Sequence, residues 1–105
     1  MDLDRLATSL AAFAVYDPTH FPIHFAQVLL VVAEEEPCTF QKVMGKLDLS
    51  NSAVSRTVMA LGQLNRRGQP GFDLLTTFRD PKEGRRFLIK LTPKGKALVR
   101  QLKGV

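Results

Sequence analysis

Ser52, Ser55 and Arg56 fall on one face of a short candidate helix, and Lys82, Arg85 and Arg86 crowd a later charged turn. Neither set suits bond-breaking chemistry. No nucleophile is spaced beside a base, and no His, Cys and acid cluster has metal-ligand spacing. Lys94-Gly95-Lys96 lacks the upstream glycine that a phosphate-cradling loop requires. What these residues suit is recognition. A hydroxyl donates and accepts hydrogen bonds at short reach, and a guanidinium presents a planar fork of donors. On an exposed helix, small hydroxyls permit close approach to base edges in a major groove, and arginine reaches guanine edges or phosphates.

The elements that must position them begin with residues 39–67. Phe40, Val43, Met44 and Leu47 recur at helical spacing, Asp48-Leu49-Ser50 breaks the pattern, and Ser50, Asn51 and Ser52 offer caps to a second helix. That helix is expected to bury Val54, Val58, Leu61 and Leu64, leaving Ser52, Ser55, Arg56, Gln63 and Arg66 outward. Two short helices about a tight turn form a helix-turn-helix pattern. Gly68 and Pro70-Gly71 then signal its end. Residues 72–78 read as a strand, RDPKEG as a turn, and residues 85–91 as the returning strand. The hairpin 72–91 is thus a basic-tipped wing, suited to the backbone or to the minor groove, where arginine meets a strong negative potential. Thr92 caps a last helix over 92–103, with Pro93 at its first position.

Upstream, residues 1–16 predict a helix with Leu3, Leu6, Leu10 and Phe13 on one stripe, a candidate dimer contact. With Leu98 and Leu102 of the last helix, these are the expected dimer residues. Residues 23–34 are apolar almost all round and predict a central buried helix. Cys38-Thr39 fits a very short strand. The expected fold class is mainly α with a small β-hairpin, in the order α-α-α-α-β-β-α, one winged helix-turn-helix domain over residues 1–105.

Charge supports the same reading. The 105 residues carry a net charge of +5. Residues 1–37 hold Arg5 against six acids, a net of −5, and the rest hold fourteen Lys and Arg against four acids, a net of +10. One acidic end and one strongly basic end give the field a direction, the footprint expected of a nucleic-acid binder. The single cysteine, Cys38, excludes an internal disulfide, and its acidic neighbours disfavour a reactive thiolate. His20 and His24 stand four apart, a spacing that can hold a metal on a helix, but Pro22 intervenes, so no metal site and no cofactor are expected. The start MDLD lacks a basic region before an apolar run, and the apolar run 28–33 is too short to span a bilayer. A cytoplasmic protein without membrane contact is the expectation.

LSNSAVSRTVMAL followed by DPKEGRRFLIKLTPKG resembles the winged helix-turn-helix core of the MarR family of bacterial transcription regulators. The more specific part is Glu83-Gly84-Arg85 at the hairpin tip and Leu91-Thr92-Pro93-Lys94-Gly95 at the helix start. The resemblance covers roughly residues 22–100. It implies that the helix near Ser50 enters the major groove, that Ser52, Ser55 and Arg56 contact DNA, and that Arg85 reaches the minor groove. It also implies a homodimer on a pseudo-palindromic site, often repressing. Three features depart from the family: Glu83 stands for the usual aspartate, the linker NRRGQPGFDLL is longer, and little follows Leu102, where the family has further C-terminal helices. Dimerisation would then fall to the first and last helices, and a small-molecule effector is not carried over. The compact size resembles short winged-helix proteins of phages and mobile elements.

The expected partner is therefore double-stranded DNA, contacted by Thr39, Gln41, Ser50, Asn51, Ser52, Ser55, Arg56, Arg66, Arg67, Lys82, Arg85 and Arg86, and the chain is not an enzyme. The competing reading is a winged helix used as a protein-interaction module that does not read DNA, since fold alone does not fix function.

Overall fold

The computed structural model describes residues 2–64 and 67–104. In chain order the elements are α1 (Leu3–Ala14), α2 (Ile23–Glu35), β1 (Cys38–Thr39), α3 (Phe40–Leu47), α4 (Asn51–Ala60), β2 (Leu75–Arg79), β3 (Phe87–Leu91) and α5 (Pro93–Lys103). Helix starts follow side-chain oxygens in the sequence. Asp2 caps α1, Thr39 caps α3, Ser50 caps α4 and Thr92 caps α5, each accepting from an amide in the first turn. For α2, Pro22 occupies the cap itself, and no side chain caps it.

The sheet is antiparallel in the order β1-β3-β2, so the short Cys38–Thr39 strand adds a third member beside the hairpin. Cys38 pairs with Ile89, and Leu75 pairs with Leu91 through to Arg79 with Phe87. The sheet, α2 and α4 enclose the core, in which Leu29, Leu61, Leu74, Leu75 and Ile89 are fully buried. Each such side chain contributes about 1.5–3 kcal/mol on leaving water. The winged helix-turn-helix expected from the sequence is present. No helix among the described residues is long and apolar enough to cross a membrane.

Several boundaries differ from the sequence expectation. Helix α4 ends at Ala60 rather than near residue 67, because the segment after it turns back. The amides of Leu61 and Gly62 bond the carbonyls of Thr57 and Met59, and those of Phe72, Asp73 and Leu74 then bond Ala60, Gly62 and Leu61. Leu64, expected in the core, is therefore 60% exposed. Gly68 has a φ of +74° but lies in the loop beyond, which a bridge between Leu64 and Pro70 closes. The described part of the long linker, from Arg67 on, thus lies outside the helix. Strand β2 starts at Leu75, not at Phe72, because the intervening amides are committed to the end of α4. Strand β3 starts at Phe87, which leaves Arg85 and Arg86 in the turn. Helix α2 is not buried all round, since Ile23 and Leu30 face outward.

The acidic run at the end of α2 is more than a solvated terminus. Glu35 pairs with Lys46 of α3 at 2.9 Å, and Glu36 accepts from the Leu91 amide at 3.1 Å. The Lys46 contact lowers the Glu35 pKa, and Glu35 in turn raises that of Lys46. Cys38 is buried, and burial followed by the charges of Glu35 and Glu36 pushes its thiol up, away from a reactive thiolate.

At the start of α5, Thr92 Oγ1 accepts from the Gly95 amide at 3.0 Å and donates to the Asp73 carbonyl at 2.7 Å. The Thr92 amide donates to the Leu74 carbonyl at 3.0 Å. A Cβ at Gly95 would strike that Leu74 carbonyl, whereas one at Gly45 in α3 meets nothing within 4 Å. Gly95→Ala should therefore lower stability by about 1–3 kcal/mol. Gly45→Ala should raise it by about 0.5–1 kcal/mol through helix propensity. Urea unfolding midpoints of the two variants check the opposite signs.

Candidate nucleic-acid interface

Helix α4 presents Ser52, Ser55, Arg56 and Met59 on one stripe, because residues three, four and seven apart share a face. Its other side carries Val54, Thr57 and Val58 into the core. Thr57 satisfies its hydroxyl internally by donating to the Ala53 carbonyl at 2.8 Å. The turn before α4 is set by Asp48, in the left-handed region at φ +53°, whose amide caps α3 on Met44. Ser50 Oγ accepts from the Ala53 amide at 3.1 Å and Thr39 Oγ1 from the Lys42 amide at 3.0 Å. Both predicted contact residues are therefore caps, and each keeps its hydroxyl proton to donate outward. Gln41, Asn51, Ser52 and Arg56 are exposed, and Ser55 is half-buried. Arg67 is exposed in the loop after α4. Arg66 lies outside the described residues.

The wing divides its cations into two groups. Asp80 is buried at its base, accepting from the Lys82 amide at 2.9 Å and from Arg86 Nε at 2.7 Å. Glu83 stands 3.9 Å from the same guanidinium, and its carbonyl accepts from the Arg86 amide. Arg86, expected to contact phosphate, is thus the clamp of its own turn. Arg79 Nη1 donates to the Gly84 carbonyl at 2.7 Å, and the guanidinium lies 5.1 Å from the Phe87 ring centroid. The side chains of Lys82 and Arg85 are exposed and make no hydrogen bond or ion pair among the described residues. They remain free for an external anion.

Helix α4 and the wing border a single groove. Ser55 and Met59 line one side, Thr77 and Phe87 the other, over a floor that includes Val58 and Leu75. Sequence reasoning named Ser55 but missed Met59, Arg79 and Phe87. The signal for Met59 was available, since it follows Ser52 by seven residues. Arg79 and Phe87 meet only through the strand register.

The expected dimer residues separate in the same way. Phe13 and Leu98 are 6% and 3% exposed, so they belong to the chain's own core and are not free contacts. Phe13 stacks on Phe21 at 5.5 Å, within a cluster that also contains Tyr16, Phe25 and Phe72. Leu102 is half-buried. Leu3, Leu6 and Leu10 are 73%, 41% and 46% exposed. The two histidines have separate roles: His20 bonds the Thr19 hydroxyl, and the His24 ring meets Phe25 edge-on.

These elements define a winged helix-turn-helix, and comparison with solved structures narrows the class. BpsR of Bordetella bronchiseptica, described for regulation of its DNA binding by 6-hydroxynicotinic acid, superposes with a TM-score of 0.65 at 22% identity, over 97% of this chain and 68% of that one. PcaV, a transcriptional regulator of Streptomyces coelicolor solved with its natural ligand, gives 0.65 at 27% identity over 96% and 67%. A variant of MepR from S. aureus bound to an oligodeoxyribonucleotide gives 0.69 at 18% identity over 97% and 72%. The chain has the MarR-like winged-helix fold, and it spans about two thirds of the length of each of these structures. No protein-family model matches it, and no curated protein does.

The wing clamp gives a pH test. The Lys82 amide and then the Arg86 guanidinium hold the Asp80 carboxyl below its usual pKa. A depressed carboxyl adds stability that is complete above the ordinary aspartate value and is lost as pH falls through the folded value. Asp80→Asn should therefore lower Tm relative to the parent at about pH 7, and the gap should close as pH falls below about 4. Thermal unfolding by circular dichroism across that range checks it.

Proposed function

We propose that the chain binds double-stranded DNA in a sequence-specific manner and regulates transcription as a homodimer, repressing by occupying a promoter. The observation that supports this most directly is the pairing of a polar, arginine-bearing stripe on α4 with a wing whose tip exposes Lys82 and Arg85. Ser52, Ser55 and Arg56 would read base edges in the major groove. Arg85 would enter the minor groove, and Lys82, Arg67 and Arg66 would hold phosphates. The basic segregation of the chain supplies salt-dependent attraction. The solved MarR-like structures, one of them on an oligonucleotide, support the same assignment.

Fluorescence anisotropy on a duplex from upstream of the chain's own gene, beside a scrambled duplex, tests the reading. Binding should favour the first and weaken steeply with salt. Arg56→Ala and Arg85→Ala should each cost about 1–3 kcal/mol of binding on the specific duplex. Absence of binding to either duplex at low salt would overturn this assignment and favour the protein-interaction reading.

The dimer is supported by the exposed leucines of α1. Because Leu6 is not part of the monomer core, Leu6→Lys should leave the circular dichroism spectrum unchanged. Sedimentation should shift from dimer to monomer, with at least about a tenfold loss of DNA affinity. A wild-type chain that sediments as a monomer at micromolar concentration would sink the homodimer.

A further inference from the structure

The groove between α4 and the wing is more apolar than polar. It encloses about 390 Å³. Met59, Phe87 and Leu64 line it while remaining 42%, 42% and 60% exposed. Such side chains stand out on a face otherwise built of hydroxyls and cations. The core does not include them, since Val54 and Val58 of α4 and Leu61 just after it already fill that side.

Met59 continues the stripe of Ser52, Ser55 and Arg56. It lies about 10 Å along the helix axis from Ser52, roughly three base steps at about 3.4 Å each. In the major groove the base edges offer donors and acceptors and a single kind of methyl, the C5-methyl of thymine. The surroundings select the occupant further. Arg56 flanks the apolar patch on α4, and Arg79 stacks on Phe87 across the groove. An apolar spot with one arginine on the same helix stripe and another against Phe87 on the facing strand suits an anionic polymer that carries a methyl.

We propose that Met59 is a specificity-determining residue that packs against a thymine C5-methyl, with the groove beside it accommodating that edge of the duplex. This rests on the DNA reading above. A polar stripe of serines distinguishes bases only by hydrogen bonds, and Met59 adds a contact that cytosine lacks. The thioether is flexible and polarizable, so it adapts to the methyl without a fixed rotamer.

The test begins with selection of bound sequences from a randomised duplex pool by the full chain. Each thymine of the selected duplex is then replaced by deoxyuridine, which removes only the methyl. At one or two positions uridine should weaken wild-type binding about fourfold, the worth of one buried methyl-sized group. Met59→Ala should lose that sensitivity at those positions, Met59→Leu should keep it, and Ser52→Ala should also keep it. Met59 is exposed, so these variants should fold as the parent does. Wild-type binding that ignores every uridine, or a Met59→Ala variant that remains sensitive, would overturn the inference while leaving the DNA reading intact. A pool that yields no enriched sequence overturns the DNA reading and this inference with it.

Discussion

The carbonyls at the end of α4 govern how that helix, the wing and the last helix are arranged. Any helix leaves its last carbonyls without intrahelical partners. Here Ala60, Leu61 and Gly62 accept from the amides of Phe72, Leu74, Leu75 and Asp73. The approach is so close that a Cβ at Gly71 would collide with the Gly62 and Ala60 carbonyls. Two residues later the same segment binds Thr92 through the Asp73 and Leu74 carbonyls. One short stretch therefore joins α4, the first wing strand and the last helix. Asp73 bears the local cost, with a φ of +57° and a buried Oδ1 that has no hydrogen-bond partner among the described residues. Such a cost persists only where the surrounding contacts over-determine the conformation.

A wing fixed at its base can still present a usable tip, because its charged residues are divided. Asp80 and Arg86 close the turn from within, and Arg79 reaches across it to Gly84. Those guanidinium groups spend donors on holding the loop. Lys82 and Arg85, at alternate places in the same turn, keep theirs. A rigid turn with free cations loses less conformational entropy on meeting a phosphate than a floppy one would. The acidic end of the chain works differently. Glu35 and Glu36 tie α2 to α3 and β3, so part of the negative charge is structural rather than a field at a distance.

Much of this was legible in the sequence because it rested on local chemistry. Ser50, Thr92 and Pro93 mark helix starts through side-chain oxygens and a fixed φ, and the structure places the starts there. The hairpin and the outward stripe of Ser52, Ser55 and Arg56 followed from periodicity. What was not legible depended on contacts distant in sequence. The end of α4 is decided by amides a dozen residues on, so Gly68 was a misleading stop signal. Glu36 finds the Leu91 amide only after the sheet forms. Arg86 looked like any basic tip residue until Asp80 was seen beneath it. Phe13 shared a stripe with exposed leucines, and Leu98 with half-buried Leu102; only the aromatic cluster and the core separate them.

Helix α1 poses the remaining physical question. Its C-terminal end is held by Phe13 against Phe21 and by Tyr16 against Phe72. Its first turns carry Leu3, Leu6 and Leu10 in water. A twelve-residue helix is marginal without tertiary packing, and capping by Asp2 stabilises it by only about 1 kcal/mol. An apolar stripe that the chain's own core does not use is better explained by a surface covered in the working assembly. A second copy of the chain, the assembly proposed above, would cover that stripe and also serve α4. In the proposed homodimer, an isologous interface at α1 would relate two α4 helices by a twofold axis. A pseudo-palindromic duplex requires that symmetry of its readers. Doubling the contacts would also raise a short stripe of two serines, one arginine and one methionine to the affinity that a specific site needs.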